Sequence, residues 1–204
     1  MIFLTRKLKK ALWKKYLSSH HPDINDRFLH SLGVLKKALE LRKTFHIPVK
    51  KTAVIKAALL HDYAKFCSKD EFESIIKKYQ LDSKLLDVSP KLWHSLLGPY
   101  IIQDELGINE PEVLDAISHH TIGSLNLTLL GEIIYLADYT DETRDDEYYQ
   151  EAIKLSKFNF YGAIACKLKQ QIDNKHHVIS NDLNLMYEKY RRLDGTNYYH
   201  QKSN

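Results

Sequence analysis

The sequence contains few of the residues that mark several classes of protein. Its 204 residues include only 2 cysteines, 7 glycines and 5 prolines. Two cysteines, Cys67 and Cys166, are too few for the disulfide framework of a small secreted protein. Scarce glycine and proline exclude collagen-like and low-complexity chains and favour long helices, because few turns are obligatory. The composition predicts a soluble, intracellular and mostly helical protein.

Long hydrophobic runs are also absent. The longest, such as 133–137, fall far short of the roughly 20 apolar residues that span a membrane. Only Ile2, Phe3 and Leu4 precede the first basic cluster, so no signal-peptide segment is expected. Sustained alternation of apolar and polar residues, the pattern of half-buried strands, is missing too. We expect a cytoplasmic protein with no membrane partner.

The sequence does contain enough apolar residues for a core, because 44% of it is hydrophobic. Apolar positions recur at helical spacing, and no internal repeat or glycine-rich linker interrupts them. We predict a single all-α domain over 22–193, a basic helix at 1–21 packed on it, and a flexible tail at 194–204. The predicted helices are 2–17, 24–45, 49–64, 69–79, 90–106, 110–120, 128–139, 145–174 and 180–193.

Charge is distributed unevenly along the chain. Residues 1–51 carry a net charge of +10, whereas residues 104–151 carry −12. A basic segment can bind a phosphate-bearing partner such as nucleic acid. However, the lysines of the first predicted helix fall between regularly spaced Leu8, Leu12 and Tyr16, which is typical of a solvated helix face. Nucleic acid is therefore the disfavoured partner.

Several histidines and aspartates lie inside or at the end of apolar stretches. An ionised carboxylate in such surroundings is costly unless it is paired or bound to metal. Imidazole and carboxylate together suit Fe, Mn, Zn or Ni. Each residue alone could instead be an ordinary packing or surface residue, as we expect for His20, His21, His46, His176, His177 and His200. The candidate ligands are His30, His61, Asp62, His94, His119, His120 and Asp138.

The order of these residues resembles the HD superfamily of metal-dependent phosphohydrolases. His30, the pair His61-Asp62 and Asp138 match its basic pattern, and His94 and His120 resemble the extra ligands of members with two metal ions. Longer words are similar to the YqeK-type subgroup and extend the resemblance over about residues 26–190. They are LHDYAK at 60–65, LWH at 92–94, GPY at 98–100, DAISHHTIG at 115–123, IIYLADY at 133–139 and RD at 144–145.

The resemblance implies an all-helical HD-domain bundle and a hydrolase that cuts diadenosine tetraphosphate symmetrically into two ADP. It implies two divalent metal ions, usually iron, with Mn, Zn or Ni as alternatives, and it leaves a homodimer open. Two metal ions held close together can activate water and clamp phosphate oxygens. In this scheme Asp62 bridges the two metals. One metal is held by His30, His61 and Asp138, and the other by His94 and His120, with His119 as a spare ligand.

Four further residues are candidates for substrate binding. Lys65 follows Asp62 by three residues, so a continuing helix would place its ammonium on the same face, where it could stabilise charge in the transition state. Arg144 offers a planar fork for phosphate or ribose oxygens. Thr121 and Gly123 follow a predicted ligand and could approach phosphate. The alternatives are a solvated lysine, an arginine paired with nearby acids, and a plain turn at 121–123.

Three other functions remain open at this stage. The same metal site could act on deoxynucleotides, nucleoside monophosphates or cyclic dinucleotides, because metal ligands do not set substrate specificity. A protein that binds nucleotides without turnover is a second class, although it would not need a complete ligand set. An RNA-associated module based on the basic first helix is a third, and its binding would fall steeply with salt.

Overall fold

A computed structural model describes residues 2–174 and 181–195. Within these ranges the chain forms eleven α-helices, two short 3₁₀ segments and no strand, which confirms the predicted all-α class. The helices are α1 (Ile2–Ser19), α2 (Ile24–Thr44), α3 (Lys51–Leu60), α4 (Lys69–Tyr79), α5 (Trp93–Leu96), α6 (Gly98–Leu106), α7 (Pro111–Ser118), α8 (Leu129–Thr140), α9 (Glu147–Leu155), α10 (Phe160–Asp173) and α11 (Asn181–Arg192).

Three predicted helices are shorter or broken in the structure. The helix predicted at 49–64 ends at Leu60, because the His61 imidazole bonds to the Ala58 carbonyl and the chain continues in tight turns. The segment 90–106 divides into a 3₁₀ turn, α5 and α6, and the proline of Gly98-Pro99 lies in the first turn of α6. The segment 145–174 breaks before α10, whose N-cap Asn159 accepts a bond from the Gly162 amide.

The core lies around α8, which is buried along almost its whole length. Its residues 133–137 are completely inaccessible to solvent. Helices α2, α3, α7, α9 and α10 pack against it. Because α8 is apolar on every side, it is a central helix rather than a surface helix.

Helix α1 packs on α2 and α3 through Leu8, Leu12 and Tyr16. The Tyr16 hydroxyl donates to the backbone carbonyl of Asp62 over 3.0 Å. This bond links the first helix to the turn that carries the His-Asp pair. The division of the chain at 21/22 and 193/194 stays a prediction. Of the predicted tail, all but Asp194 and Gly195 lie outside the described residues, as do His176, His177 and His200.

No helix in the described part of the chain is long and apolar enough to cross a membrane. Both cysteines are free thiols, and each is only partly exposed.

A buried carboxylate lies between α8 and α11. One oxygen of Glu132 accepts a bond from the Tyr190 hydroxyl over 2.8 Å, but the other is buried without a hydrogen-bond partner in the described structure. Burial raises the pKa of Glu132, and the bond from Tyr190 only partly opposes this effect. A carboxyl whose pKa is raised by folding stabilises the fold at low pH, and this contribution is lost as the pH rises through the raised pKa.

The Glu132→Gln substitution should therefore become more favourable as the pH rises. It keeps an oxygen acceptor for Tyr190 and removes the buried charge. Relative to wild type, we expect the melting temperature of the variant to rise by a few degrees between about pH 5 and about pH 8. Thermal unfolding followed by circular dichroism measures this difference. The exposed residue Glu112 provides the control substitution, Glu112→Gln, and an equal pH trend in both variants would contradict the assignment.

Candidate metal centre

Five separate elements bring the predicted ligands together. His30 lies on α2, His61 and Asp62 lie in the turn after α3, and His94 lies on the short α5. The remaining two are His120, just beyond the end of α7, and Asp138, in the last turn of α8. All except Asp138 are buried, and the Asp138 side chain is 17% exposed. Burial of so many ionisable groups is costly unless they are mutually paired or bind metal.

The ligands form two groups that share one residue. The donor atoms of His30, His61 and Asp62 lie within 4.8 Å of one another, and so do those of Asp62, His94 and His120. Asp138 extends the first group, because its Oδ1 lies 3.0 Å from His30 Nε2 and 3.6 Å from His61 Nε2. The sequence-predicted set therefore converges on one place.

The two carboxylate oxygens of Asp62 face different groups. Its Oδ2 lies 3.5 Å from His61 Nε2 and 3.9 Å from His30 Nε2. Its Oδ1 lies 3.0 Å from His94 Nε2 and 3.6 Å from His120 Nε2, and it is buried without a hydrogen-bond partner in the described structure. This geometry is what a carboxylate needs to bridge two cations.

The histidine tautomers also suit metal binding. The Nδ1 atoms of His61 and His120 lie 2.8 and 2.7 Å from the carbonyls of Ala58 and Ile117, so each Nδ1 donates a proton and each Nε2 carries a lone pair. Burial lowers the pKa of His94 and of His120, which keeps both rings in the neutral ligand form. Nε2 atoms approach each other closely, at 3.3 Å for His30 and His61 and 3.2 Å for His94 and His120. The residues therefore fit two metal ions.

The family comparison matches this geometry. A family model described as "HD domain" matches residues 27–143, which include every predicted metal ligand. The chain belongs to the HD domain family.

Known relatives of this HD protein extend over most of its length. It is 36% identical to a Bacillus subtilis (strain 168) protein named "Bis(5'-nucleosyl)-tetraphosphatase, symmetrical", and the match covers 81% of this chain and 85% of that one. A Halalkalibacterium halodurans protein of the same name is 34% identical, over 79% of this chain and 82% of its own. A crystal structure of a "predicted HD superfamily hydrolase involved in NAD metabolism" from Clostridium acetobutylicum is 24% identical. It superposes with a TM-score of 0.74, over 89% of this chain and 95% of that one.

Asp141 is a residue of the HD site that the sequence did not reveal as functional. It is fully buried, and its Oδ2 lies 3.2 Å from Nδ1 of His30, on the ring edge opposite Asp138. Its Oδ1 accepts bonds from the backbone and hydroxyl of Thr143. A carboxylate behind a ligand histidine fixes its tautomer and orientation. The spacing of three residues from Asp138 was the available signal.

Space for this carboxylate depends on Gly33. A Cβ atom built on Gly33 would lie 2.6 Å from Asp141 Oδ1, closer than any ordinary contact. Gly33 lies on α2 one turn after His30, so the missing side chain opens a slot directly beside the ligand. The same helix therefore supplies both the histidine and the gap for the residue that orients it.

Arg27 is a second functional candidate that sequence reasoning missed. Its Nη1 donates to Asp62 Oδ2 over 2.9 Å, and its side chain is 30% exposed. The signal was its place on α2, three residues before His30 and hence on the same helix face. Burial would raise the pKa of Asp62, but the positive charge of Lys65 and the interactions with the His61 and His120 imidazoles outweigh it and hold the pKa well below its usual range.

The predicted substrate residues differ in where they lie. Lys65 lies near the site although α3 ends at Leu60, with its Nζ 3.7 Å from Asp62 Oδ1, so the turn after α3 and not a continuing helix places it there. Thr121 Oγ1 lies 3.1 Å from His120 Nε2. Arg144 donates to the backbone carbonyl of Asp138 and also lies 3.5 Å from Asp141 Oδ2. These three side chains surround the metal ligands.

Gly123 lies apart from them. A Cβ atom there would meet the Met186 side chain at 2.4 Å and Tyr135 at 3.3 Å, and its φ of +79° favours glycine. The structure gives Gly123 a packing role against α11. Its contact with phosphate stays a prediction.

Two side chains of helix α10 contact the turn that carries His120. Lys167, which is buried, donates to the carbonyl of Tyr135 over 2.5 Å and lies 3.5 Å from that of His120. Gln171 donates to the Thr121 carbonyl over 3.1 Å. Burial lowers the pKa of Lys167 to about 7. Because these contacts reach the carbonyls of His120 and of the next residue, we infer that Lys167 and Gln171 position His120.

His119 and His120 should differ sharply when replaced. His119 points away from the centre, since its Nδ1 lies 3.1 Å from Asp115 Oδ1 and its side chain is 34% exposed. We expect His120→Ala to lower bound metal and reduce hydrolysis by roughly 10- to 100-fold or more, and His119→Ala to change both by less than about threefold. Metal analysis and initial rates measure this contrast. A larger loss in His119→Ala would show that the wrong neighbour was assigned.

Proposed function

We propose that this HD protein hydrolyses dinucleoside tetraphosphates symmetrically, releasing two ADP from diadenosine tetraphosphate. One observation carries the proposal: Asp62 lies between two ligand groups and presents one oxygen to each. The relatives named as symmetrical tetraphosphatases, which match most of the chain, support the substrate class.

Two arginines, Arg27 and Arg144, line the cleft that leads to the ligands, together with two aspartates at its edge. This active-site mouth has a volume of about 470 Å³, and its lining residues are Asp23, Asp26, Arg27, Leu29, His30, Thr143 and Arg144. Lys65 lies on the other side of Asp62. A tetraphosphate carries several negative charges, and fixed cations in a partly buried site bind and orient such a chain. A monoester or diester would engage fewer of them.

The metals, when bound, would activate water and neutralise phosphate charge. We assign them to His30, His61, Asp62 and Asp138 on one side and to Asp62, His94 and His120 on the other, with iron as the proposed ion. Water attacks a central phosphorus, its oxygen forms the new bond, and the bond to the bridging oxygen between the two central phosphates breaks. The second ADP leaves through that oxygen.

The side chains of this protein have distinct parts in that reaction. Asp141 and the backbone carbonyls of Ala58 and Ile117 hold the imidazoles in the tautomer that presents Nε2. Lys65 places a positive charge beside Asp62, where it would stabilise charge that develops on the phosphate oxygens in the transition state. Arg144 is held by the Asp138 carbonyl, and it orients the phosphate chain at the mouth. Thr121 lies close enough to offer a hydroxyl.

Location and assembly are further parts of the proposal. Two free cysteines support a reducing compartment, and hence the cytoplasm. Action on free dinucleotides needs neither a membrane nor nucleic acid. A homodimer stays an expectation.

Product analysis tests the proposed reaction. The metal-loaded protein is incubated briefly with diadenosine tetraphosphate, and the nucleotides are separated by chromatography. We expect ADP as almost the sole product and no reaction after chelation. AMP with ATP would show asymmetrical cleavage. No turnover, together with rapid cleavage of a deoxynucleotide, monophosphate or cyclic dinucleotide, would assign the same centre to a different substrate. The Asp62→Ala protein, purified in the same way, controls for contaminating hydrolases.

A further inference from the structure

An apolar groove with a basic rim lies between α1 and α2. Its volume is about 520 Å³, and we call it the Trp13 groove. The Trp13 and Phe28 rings meet edge to face, with centroids 5.0 Å apart, and form its floor. The residues that line it are Lys9, Lys10, Trp13, Asn25, Phe28 and Leu29. Such a combination of aromatic surface and lysine charge suits a nucleobase with attached phosphate.

The Trp13 groove adjoins the active-site mouth at one shared residue. Leu29, whose surface is 57% exposed, lines both. The neighbouring residues Arg27 and His30 lie on the mouth side of α2, and Phe28 lies on the groove side. Successive residues of a helix are rotated by about 100°, so one helix presents both surfaces side by side. A ligand whose phosphates reach the metals can therefore extend over Leu29.

The cleft on the other side of the mouth is less suited to a base. It is reached past Arg144 and is lined by Gly33, Lys36 and Lys37 among other residues, none of them aromatic. Its Lys36 pairs with Glu142, and its Lys37 pairs with Glu40 over 2.9 Å. By contrast, Lys9 and Lys10 form no ion pair within the described part of the chain. The aromatic stacking surface is thus on the Trp13 side.

We propose that the Trp13 groove binds one of the two nucleosides of the substrate, with the base against Trp13 and Phe28. This inference rests on the proposed function, because only a dinucleotide has a second nucleoside to place. Lys9 and Lys10 contribute attraction for the adjoining phosphates. The groove thereby distinguishes a long dinucleoside polyphosphate from an inorganic polyphosphate that reaches only the metals.

Kinetics with two probes test the groove. The Michaelis constant for diadenosine tetraphosphate is measured together with the inhibition constant of inorganic tetraphosphate, which has no nucleoside. In Trp13→Ala we expect the Michaelis constant to rise roughly tenfold, the scale of base–aromatic stacking, and the inhibition constant to stay unchanged. Trp13→Phe should restore most of the affinity. Leu17→Ala is the matched control, because Leu17 is an exposed residue of the same helix outside the groove.

The possible failures are distinguishable. A Michaelis constant within twofold of wild type in Trp13→Ala overturns the groove while turnover to ADP upholds the proposed function. Parallel changes in both constants would mean that the substitution acts on the metal site or the fold, which also overturns it. If wild type does not cleave diadenosine tetraphosphate, the proposed function fails. Titration calorimetry then measures the dissociation constants of wild type and Trp13→Ala for that dinucleotide. Their comparison tests nucleoside binding in the groove independently of turnover.

Discussion

Replacing Asp62 with alanine should remove bound metal and lower the turnover of diadenosine tetraphosphate by more than about a hundredfold, beyond the usual cost of losing an outer-shell partner. The physical reason is that both oxygens of this buried carboxylate face ligand groups, Oδ2 towards His61 and Oδ1 towards His94. In the proposed assignment, one substitution would thus remove a ligand from each metal. Metal content per chain, measured on protein purified with iron or manganese, should fall well below two.

Folding must be checked in the same experiment, because Arg27 and Lys65 lose their buried counter-charge in this variant. Asp62→Asn keeps the volume and one oxygen donor, so it provides a second variant that should fold and still lose metal. Asp115→Ala is the matched control, since Asp115 is a more exposed carboxylate that pairs with His119. In wild type, chelation should lower the melting temperature, because metal binds the folded state. A full complement of metal in both Asp62 variants would refute the bridging role.

The second large effect, on metal affinity and activity, is expected from Gly33→Ala, which adds a single methyl group. In Gly33→Ala the new Cβ would lie 2.6 Å from Asp141 Oδ1, so the carboxylate has to leave its place beside His30. Loss of such an outer-shell partner typically costs 10- to 100-fold in metal affinity or activity. We expect a loss in that range, with the helical fold retained, because alanine is favourable within a helix. Metal titration and initial rates at saturating metal separate weakened binding from slowed chemistry.

Two variants make this test specific. Asp141→Asn keeps the shape but removes the charge, so it should reproduce a substantial part of the loss without any steric conflict. Gly98→Ala is the matched control, since a Cβ at Gly98 would meet Ala64 at 3.4 Å, an ordinary contact. Normal metal affinity in Gly33→Ala would mean that Asp141 can orient His30 from another position.

The sequence predicted the fold class, and the predicted ligands converge in the structure, but the sequence did not indicate the residues that support those ligands. Residues such as His61 and Asp62 stand out locally, because a polar pair directly follows an apolar helix. The roles of Arg27 and Asp141 depend on distances between residues far apart in the chain. Their side chains could equally be surface charges, and their roles become visible only when α2 packs against the turn after α3, for Arg27, and against the end of α8, for Asp141.

The ends of the helices were the other feature that the sequence predicted poorly. Apolar periodicity continues from α3 to Ala64, yet the His61 side chain bonds to the Ala58 carbonyl and the helix ends at Leu60. Likewise, periodicity crosses Asn159, whose side chain caps α10 and breaks the helix predicted at 145–174. In both places a side-chain bond to the backbone competes with the helix, which hydrophobic spacing cannot register.

The bonds from α10 to the His120 turn show that the site depends on residues outside the segment that matches the family model. The match to the family model ends at residue 143, whereas Lys167 and Gln171, which bond to that turn, lie well beyond it. Tyr16, which lies before residue 27, supports the turn after α3, because its hydroxyl donates to the Asp62 carbonyl. The segment that matches the family model is thus shorter than the unit that must fold to hold the site. A fragment of residues 27–143 would keep every candidate metal ligand. It would lose Tyr16, Lys167 and Gln171, whose bonds support the turns that carry Asp62 and His120.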